Sequence, residues 1–180
     1  MHVELETERL VLRMPQSGDA EAVLDLVGDA QVMRAIGSEP GGMEVAAEHV
    51  ERWLRRWDTN GMGPFLVVHR EAGNVIGRVG PLVWNSTTWE TDSLEDAGEN
   101  AEVELGWAVS SAYWGRGYAP EAARAVRTWV YGTRSVERLI SLIDPANAKS
   151  ARVAEKLGAE PAETVELFDG SLATIWVHPR

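Results

Sequence analysis

The sequence predicts a mixed α/β domain, and two observations lead to this fold class. Apolar residues recur at a spacing of two in about seven short segments, which is typical of strands, and at helical spacing in about four longer segments. The two kinds of segment are interleaved along the whole chain, without internal repeats or low-complexity linkers. We therefore expect residues 1–180 to form a single domain around one sheet.

The first half of the chain is predicted to run strand, helix, helix, strand, strand. Residues 9–13 alternate as a strand, and residues 19–27 place apolar side chains on one helical face, with Ser17 as the cap and Gly28 as the end. Residues 44–57 form an amphipathic helix. Residues 65–69 and 75–79 flank turn residues, which predicts a β-hairpin.

The second half is predicted to run strand, helix, strand, helix, strand, strand. The strands are expected at residues 103–109 and 138–143, and the helices that follow them at 121–131 and 148–157. Asn147 is suited to cap the second of these helices, and Gly158 is suited to end it. The Asp169-Gly170 pair predicts a tight turn between two last strands, near residues 164–168 and 173–178.

Composition excludes several classes of function. The 180 residues are 44% hydrophobic, which is enough for one sizeable core, and the absence of cysteine excludes disulfides and thiolate catalysis. A formal net charge of −11 argues against a nucleic-acid partner, and the four histidines lack metal-ligand spacing, so they are expected to be structural or solvent-facing. No apolar stretch has the length of a signal or membrane segment, so we expect no membrane partner and a cytoplasmic location.

A glycine-containing turn lies between a strand-like run and the start of a helix. Gly115 and Gly117 permit positive φ and the close approach of a ligand, and Pro120 suits the first helical turn. The free N–H groups of that turn and the helix dipole favour an anion such as a pyrophosphate, with Arg116 adding positive charge at the rim. Two glycines also occur in ordinary tight turns, so the turn alone does not decide the function.

Two other phosphate-binding patterns are disfavoured. A dinucleotide fingerprint requires a third glycine where the chain has Pro120, and the NTPase loop requires a Gly-Lys-Ser/Thr sequence that the chain lacks. A Rossmann-type dinucleotide binder is therefore a minor alternative. The remaining pattern is one in which the pyrophosphate of coenzyme A lies on a strand–turn–helix.

At this turn the chain resembles the GNAT superfamily of N-acetyltransferases. The family signature Gln/Arg-x-x-Gly-x-Gly/Ala corresponds to Trp114-x-x-Gly117-x-Ala119, with tryptophan in place of the commonest first residue. The longer match, Trp-Gly-x-Gly-Tyr-Ala-x-Glu-Ala at residues 114–122, is similar to the branch that contains the bacterial ribosomal-protein N-terminal acetyltransferases. Residues 7–13 and 147–158 support the same branch, so the resemblance spans nearly the whole chain.

The resemblance implies a GNAT-like fold and an acetyl-CoA site. The sheet would be mixed, mostly antiparallel and twisted, with about seven strands and about four helices, and it would splay between residues 103–109 and 138–143. The pantetheine arm would enter that gap. The cofactor-binding residues would be Trp107, Ala108, Val109, Gly115, Arg116, Gly117, Tyr118, Ala119, Asn147 and Ser150.

The chemistry requires a neutral amine, because an ammonium has no lone pair with which to attack a thioester. The resemblance places a catalytic glutamate at Glu104, and Glu102 on the same strand face is the second candidate. Either carboxylate could instead pair across the sheet. By the same resemblance, the backbone N–H of Val109 would donate a hydrogen bond to the oxyanion that forms.

The proton for the departing thiolate has no certain donor in the sequence. Many family members use a tyrosine seven residues after the matched Asn147, but the chain has Ala154 there. Ser150 is the substitute typical of the ribosomal-protein branch, and it is also suited simply to satisfy a free N–H of the helix. Tyr113 and Tyr118 are further candidates.

The longest irregular segment, residues 85–100, is rich in acidic residues and contains no Lys or Arg. It is expected to be a solvated loop or, alternatively, a lip that attracts an ammonium-bearing acceptor, with Trp84 and Trp89 at its edges.

Together these observations predict an acetyl-CoA-dependent N-acetyltransferase. The acetyl group would move directly to a primary amine, because the chain has no cysteine to carry it covalently. The acceptor would be a protein N-terminus or a small amine. A non-catalytic acyl-CoA-binding sensor or scaffold is the alternative from a different class. No metal is expected, and a homodimer is compatible with the sequence.

Overall fold

An open sheet runs through the part of the chain that the computed structural model describes, residues 2–180. It has eight strands in this part of the chain: β1 (Glu4–Glu6), β2 (Leu10–Arg13), β3 (Phe65–His69), β4 (Val75–Asn85), β5 (Ala101–Val109), β6 (Leu139–Ile143), β7 (Glu160–Glu166) and β8 (Leu172–Val177). Six α-helices accompany them: α1 (Ala20–Gly28), α2 (Ala30–Ala35), α3 (Met43–Asn60), α4 (Leu94–Ala97), α5 (Tyr118–Thr133) and α6 (Ala148–Lys156). The predicted α/β class is confirmed.

The order of strands across the sheet is β1-β2-β3-β4-β5-β6-β8-β7. Neighbouring strands are antiparallel, except that β5 and β6 are parallel and are joined by the crossover helix α5. The sheet is therefore mixed and mostly antiparallel, as the sequence predicts.

Both faces of the sheet are covered by helices. On one face, fully buried strand side chains such as Phe65 and Leu105 pack against Val126 and Val130 of α5. On the other face, Leu66 packs against the apolar stripe of α3, which includes Val50 and Trp53 as predicted. Each fully buried aliphatic or aromatic side chain contributes about 1.5–3 kcal/mol. Packing on both faces fixes the positions of the central strands. Two of these strands, β4 and β5, contribute residues to the cavities described below.

Several element boundaries differ from the predictions. Helix α5 begins at Tyr118 instead of residue 121, β4 continues to Asn85, and β7 begins at Glu160. The short elements β1, α2 and α4 were not predicted, because three to six residues are too few to show a periodic pattern. The predicted cap Ser17 is wrong: α1 begins after Asp19, whose carboxylate instead accepts two hydrogen bonds of 2.7 Å from the Arg13 guanidinium.

The helix ends around α6 follow the predictions. Asn147 caps the helix, because its side-chain oxygen accepts a hydrogen bond of 3.1 Å from the Ser150 N–H. Gly158, at φ +76°, ends it in the left-handed region that favours glycine.

None of the helices in residues 2–180 combines the length and the hydrophobicity that a membrane-spanning helix requires.

Candidate active site

The parallel pair β5–β6 opens into a gap. The two strands are paired only at Val103–Leu139 and Glu104–Ile140, although they continue to Val109 and Ile143. This is the splay that the sequence predicts. Cavities of about 520 Å³ and about 570 Å³ lie on either side of the gap. Their linings share Ala35, Ile36, Trp107, Asn147 and Ser150, so the two cavities meet there.

The first cavity, which we call the donor cleft, contains the glycine turn. Gly115 and Gly117 have φ of +76° and +81°, and a Cβ on Gly115 would meet no atom within 4 Å. Within the described residues, no hydrogen bond is formed by the backbone N–H groups from Gly115 to Ala119. Four of these five residues line the cleft, whereas Arg116 is exposed and outside it. The turn therefore presents unsatisfied donors at the start of α5.

The N-terminal segment braces this turn. The Arg9 guanidinium donates to the backbone oxygen of Arg116 at 2.9 Å and to the Glu121 carboxylate at 2.7 Å, and it lies 4.4 Å from the Tyr118 ring centroid. Thr7 also donates to Glu121 at 2.6 Å. Burial raises the pKa of Glu121, but these hydrogen bonds together bring it below its usual value. Thr7 and Arg9, in the segment 7–13 that supports the family resemblance, thus hold the turn in place.

Positive charge lines the donor cleft. Its charged lining residues are Lys149, Arg152 and Lys156 of α6, and no carboxylate is among the lining residues in the described part of the chain. The Lys149 ammonium lies 3.9 Å from the centroid of the Trp114 ring. The sequence analysis missed these cations, although their spacing of three and four residues indicates one helix face.

The edge of β5 supplies backbone groups to the gap. Ser110 N–H donates to Ile76 of β4 at 2.8 Å. Because alternate residues of an antiparallel strand turn their hydrogen-bonding groups to opposite sides, the N–H groups of Trp107 and Val109 turn away from β4 and toward the gap. The Val109 oxygen accepts a hydrogen bond of 2.7 Å from the Trp114 indole, which fixes the end of the strand. Trp114, the departure from the commonest signature residue, has this bracing role.

The N-terminal end of α6 lies beside the gap, where Asn147 and Ser150 line both cavities. Besides capping the helix, Asn147 donates to the Ala35 oxygen of α2 at 2.8 Å. Ser150 lines both cavities, and its hydroxyl makes no hydrogen bond within residues 2–180. Ala154, at the position where the resemblance led us to look for a tyrosine, is fully buried and packs against Ile143.

The second cavity, which we call the acceptor cavity, contains Glu104. This residue is 8% exposed, and its Oε2 accepts a hydrogen bond of 2.7 Å from the Trp84 indole. Burial raises the pKa of the Glu104 carboxyl, opposed by the Trp84 hydrogen bond, the Arg78 charge and the Leu142 N–H. A buried carboxyl with a raised pKa is suited to take a proton from an amine.

The other proton-transfer candidates are engaged elsewhere. Glu102 forms an ion pair with Arg138, so the second candidate base has the cross-strand role that the sequence left open. The Tyr118 hydroxyl bonds His69 at 2.9 Å, and the Tyr113 hydroxyl accepts from Asn74 at 3.2 Å. Both hydroxyls are bonded to residues of the β3–β4 hairpin.

A buried pair, Ser141 and His178, joins β6 to β5 where the two strands separate. Ser141 donates to the Leu105 oxygen at 2.6 Å, and the His178 Nε2 lies 2.8 Å from the same hydroxyl. Burial lowers the pKa of His178 to about 4, so the ring is neutral at pH 7. The expectation of a structural histidine fits His178, and no group of three or more metal-ligating side chains occurs in residues 2–180.

The acidic segment from residue 85 to residue 100 is more ordered than predicted. It contains the Trp84–Thr91 bridge, α4 and a short 3-10 turn at Gly98–Asn100. None of its residues lines either cavity. Its role as an electrostatic lip stays a prediction.

Comparison with known proteins identifies the family. The family model described as an acetyltransferase (GNAT) domain matches residues 9–160. The chain belongs to the GNAT acetyltransferase family. It is 40% identical over 174 residues to the uncharacterized protein YkkB of Bacillus subtilis (strain 168), a match that covers 94% of this chain and 92% of YkkB.

Solved structures agree with this assignment. An acetyltransferase from Agrobacterium tumefaciens is 28% identical, with a TM-score of 0.77 and coverage of 99% of this chain and 95% of that chain. The ribosomal-protein-S5-alanine acetyltransferase from Vibrio fischeri shares the fold at a TM-score of 0.69 and 18% identity, covering 97% of this chain and 95% of its own. The GNAT acetyltransferase is thus an enzyme of the predicted superfamily, with ribosomal-protein acetyltransferases among its structural neighbours.

The sequence analysis missed parts of both cavities. Helix α2 supplies Val32 and Ala35 to the linings, the residue after it supplies Ile36, and β4 supplies Arg78 to the acceptor cavity. Arg78 gives a faint signal, since it is a charged residue within an otherwise apolar strand. Its neighbours on β5 depend on strand register, which the sequence does not state.

Proposed function

We propose that this enzyme transfers an acetyl group from acetyl-CoA to a primary amine within a ternary complex. The observation that carries the proposal is the meeting of two cavities at the β5–β6 gap, with the glycine turn and the cations of α6 on one side and Glu104 on the other. A donor and an acceptor could then bind at once and react across the gap. The absence of cysteine supports direct transfer.

The residues of the donor cleft fit coenzyme A. The free N–H groups from Gly115 to Ala119 would hold its pyrophosphate, and the open space over Gly115 permits close approach. Lys149, Arg152 and Lys156 would balance the phosphate charges. Arg116, outside the cleft lining, would act at its rim.

The gap itself fits the pantetheine arm. Backbone groups of Trp107 and Val109 would pair with its amides as an added strand would, with Ala108 in the wall of the cleft. Asn147, already bonded to Ala35, would position the arm at the start of α6.

Three groups would then act on the reaction, for which bound acetyl-CoA supplies the acetyl thioester. Glu104 would accept the proton that the amine releases as its nitrogen bonds to the acetyl carbon. The Val109 N–H would donate to the acetyl oxygen. Ser150 would donate a proton to the sulfur as the carbon–sulfur bond breaks, and its hydroxyl would regain one from solvent.

Calorimetry and product analysis test this proposal. Titration of purified protein with acetyl-CoA and with free coenzyme A should show saturable binding of both. Incubation of a cell extract with the enzyme and isotopically labelled acetyl-CoA should label primary amines that are detected by mass spectrometry. No heat with either form of the cofactor, or no labelled amine above a no-enzyme control, would contradict the proposal.

A further inference from the structure

The acceptor cavity contains an unfilled position between a carboxylate and a guanidinium. Gly106 of β5 has no side chain, and a Cβ placed on it would lie 3.4 Å from Glu104 Oε1 and 3.5 Å from Arg78 Nη1. All three residues line the cavity, and Gly106 is partly exposed. The two charged groups therefore flank one open spot on the floor of the cavity.

Arg78 Nη1 lacks a hydrogen-bond partner in the described part of the chain, and Glu104 acts on the guanidinium through its charge alone. The Nη1 atom is buried, and no carboxylate of residues 2–180 lies within ion-pair distance of the guanidinium. A buried cationic donor without an acceptor is costly, so a fold that keeps one in a cavity is suited to bind an anion there.

Charges of both signs surround this position. Burial has the largest effect and lowers the pKa of the Arg78 guanidinium, the charge of Glu104 raises it, and the charge of Arg52 on α3 lowers it again. Burial together with these cations lowers the pKa of Arg56 to about 10, so Arg56 is still charged at pH 7. Apart from Glu104, the acidic residue in the cavity lining is Asp144, which is exposed and accepts the Ala146 N–H at 2.7 Å. The lining thus contains one cation, Arg78, and two carboxylates, and Arg52 and Arg56 of α3 add positive charge near Arg78.

We propose that the acceptor is a small amino carboxylate, whose amine lies at Glu104 and whose carboxylate lies at Arg78. This inference rests on the proposed acetyl transfer and narrows its acceptor. The carboxylate provides the hydrogen-bond acceptor that the protein withholds from Arg78 Nη1, and its negative charge makes that hydrogen bond charge-assisted. A cavity of about 570 Å³ suits a small molecule, and Leu82, Trp84 and Leu172 offer apolar contacts to the rest of it.

A protein N-terminus fits this arrangement less well. Its first carbonyl belongs to a peptide bond and carries no charge, so it would offer Arg78 Nη1 only a neutral hydrogen-bond acceptor. Peptide acceptors are therefore the competing outcome in the test.

Matched acceptors separate the two outcomes. Purified enzyme with saturating acetyl-CoA is given each common L-α-amino acid, the corresponding amino-acid carboxamide, and short peptides with a free N-terminus. Release of the coenzyme A thiol is followed, and the absence of cysteine from the chain removes any protein background. A nearby carboxylate raises an amine's pKa, so ionisation in water alone would favour the carboxamide.

We expect at least one amino acid to exceed its carboxamide by about 10- to 100-fold in kcat/KM, the range of a charge-assisted hydrogen bond. Arg78→Met should lower kcat/KM for the amino acid by more than for the carboxamide, so that the ratio of the two falls toward one, and Arg78→Lys should keep part of the preference. The matched control is Arg55→Met, on the exposed face of α3 beside Glu51, which should change neither rate.

Carboxamides or peptides that react as well as the acids would overturn the inference, and so would an equal loss for both substrates in Arg78→Met. Should that variant fail to fold, the wild-type preference for acids over carboxamides decides alone. Acetyl-CoA binding with transfer to peptides only would refute the amino carboxylate but retain the acetyltransferase. Absence of both acetyl-CoA binding and transfer would refute the proposed function as well.

Discussion

At the scale of single residues, Glu104 combines burial with one strong hydrogen bond. The Trp84 indole at 2.7 Å orients the carboxylate, while burial raises its pKa and makes the charged form costly. A surface carboxylate such as Glu99 has neither constraint. We therefore expect Glu104 to lower the free energy of unfolding at neutral pH, as is common for residues that are placed for function.

This cost predicts a specific pH dependence for Glu104→Gln. The pKa of Glu104 is raised in the folded protein. Between the ordinary carboxyl pKa of about 4.3 and this raised pKa, the folded protein therefore binds more protons than the unfolded chain. Wild-type stability falls as the pH rises through that interval. The Gln variant lacks this loss. Urea unfolding should show it to be more stable than wild type at pH 8, with the difference shrinking toward pH 4.

The control for this comparison is Glu99→Gln, at an exposed site beyond the cavity lining. It should follow the wild-type pH profile closely. Parallel profiles for Glu104→Gln and wild type would show that burial does not raise the Glu104 pKa.

At the scale of elements, the donor cleft depends on one strand–turn–helix unit. The glycines, Pro120 and the strand before them predicted the turn and the start of α5 closely, and the anion site there stays a prediction. The brace from Arg9 and Thr7 to Glu121 was not predictable, because it joins residues more than a hundred positions apart. Local patterns predict the turn, and long-range contacts complete it.

The turn predicts a difference between two equivalent glycine substitutions. Gly115 and Gly73 have φ of +76° and +73°, and a Cβ at either position meets nothing within 4 Å. Gly115→Ala and Gly73→Ala should therefore each lose about 1–2 kcal/mol of stability from left-handed backbone strain. Only Gly115→Ala places a methyl group in the donor cleft.

Calorimetry should show weaker acetyl-CoA binding for Gly115→Ala, by about 10- to 100-fold if a charge-assisted hydrogen bond to the pyrophosphate is lost. Gly73→Ala should bind as wild type does. Equal affinities of the two variants for acetyl-CoA would contradict the binding of the pyrophosphate at this turn.

At the scale of the whole molecule, strand register brings together residues that the sequence keeps apart. Leu82 of β4 pairs with Glu104, and Trp84 pairs with Glu102, so the Trp84 indole and Arg78 share a sheet face with the candidate base. The sequence predicted both strands and Glu104 itself. It did not predict Arg78 as a neighbour, although Arg78 lies within the predicted strand 75–79, because the pairing register of β4 and β5 cannot be read from the sequence.

Charge is also distributed unevenly over the molecule. The formal net charge is −11, yet the charged residues lining the donor cleft are cations and the acceptor cavity holds Arg78. The expectation of no nucleic-acid partner, which rests on the net charge, stays a prediction, and the net charge is a poor guide to the ligands of the site. Local potential, set by α6 and β4, governs the ligands that we propose.

The most direct test of the account is the rate of acetyl transfer by Glu104→Gln at saturating acetyl-CoA, with the best acceptor found for the wild-type enzyme. Removal of the base should lower kcat by about 10²- to 10⁴-fold while the calorimetric Kd for acetyl-CoA is unchanged. A variant that binds acetyl-CoA and transfers the acetyl group at the wild-type rate would contradict the central claim, that the amine loses its proton to Glu104 in the gap between β5 and β6.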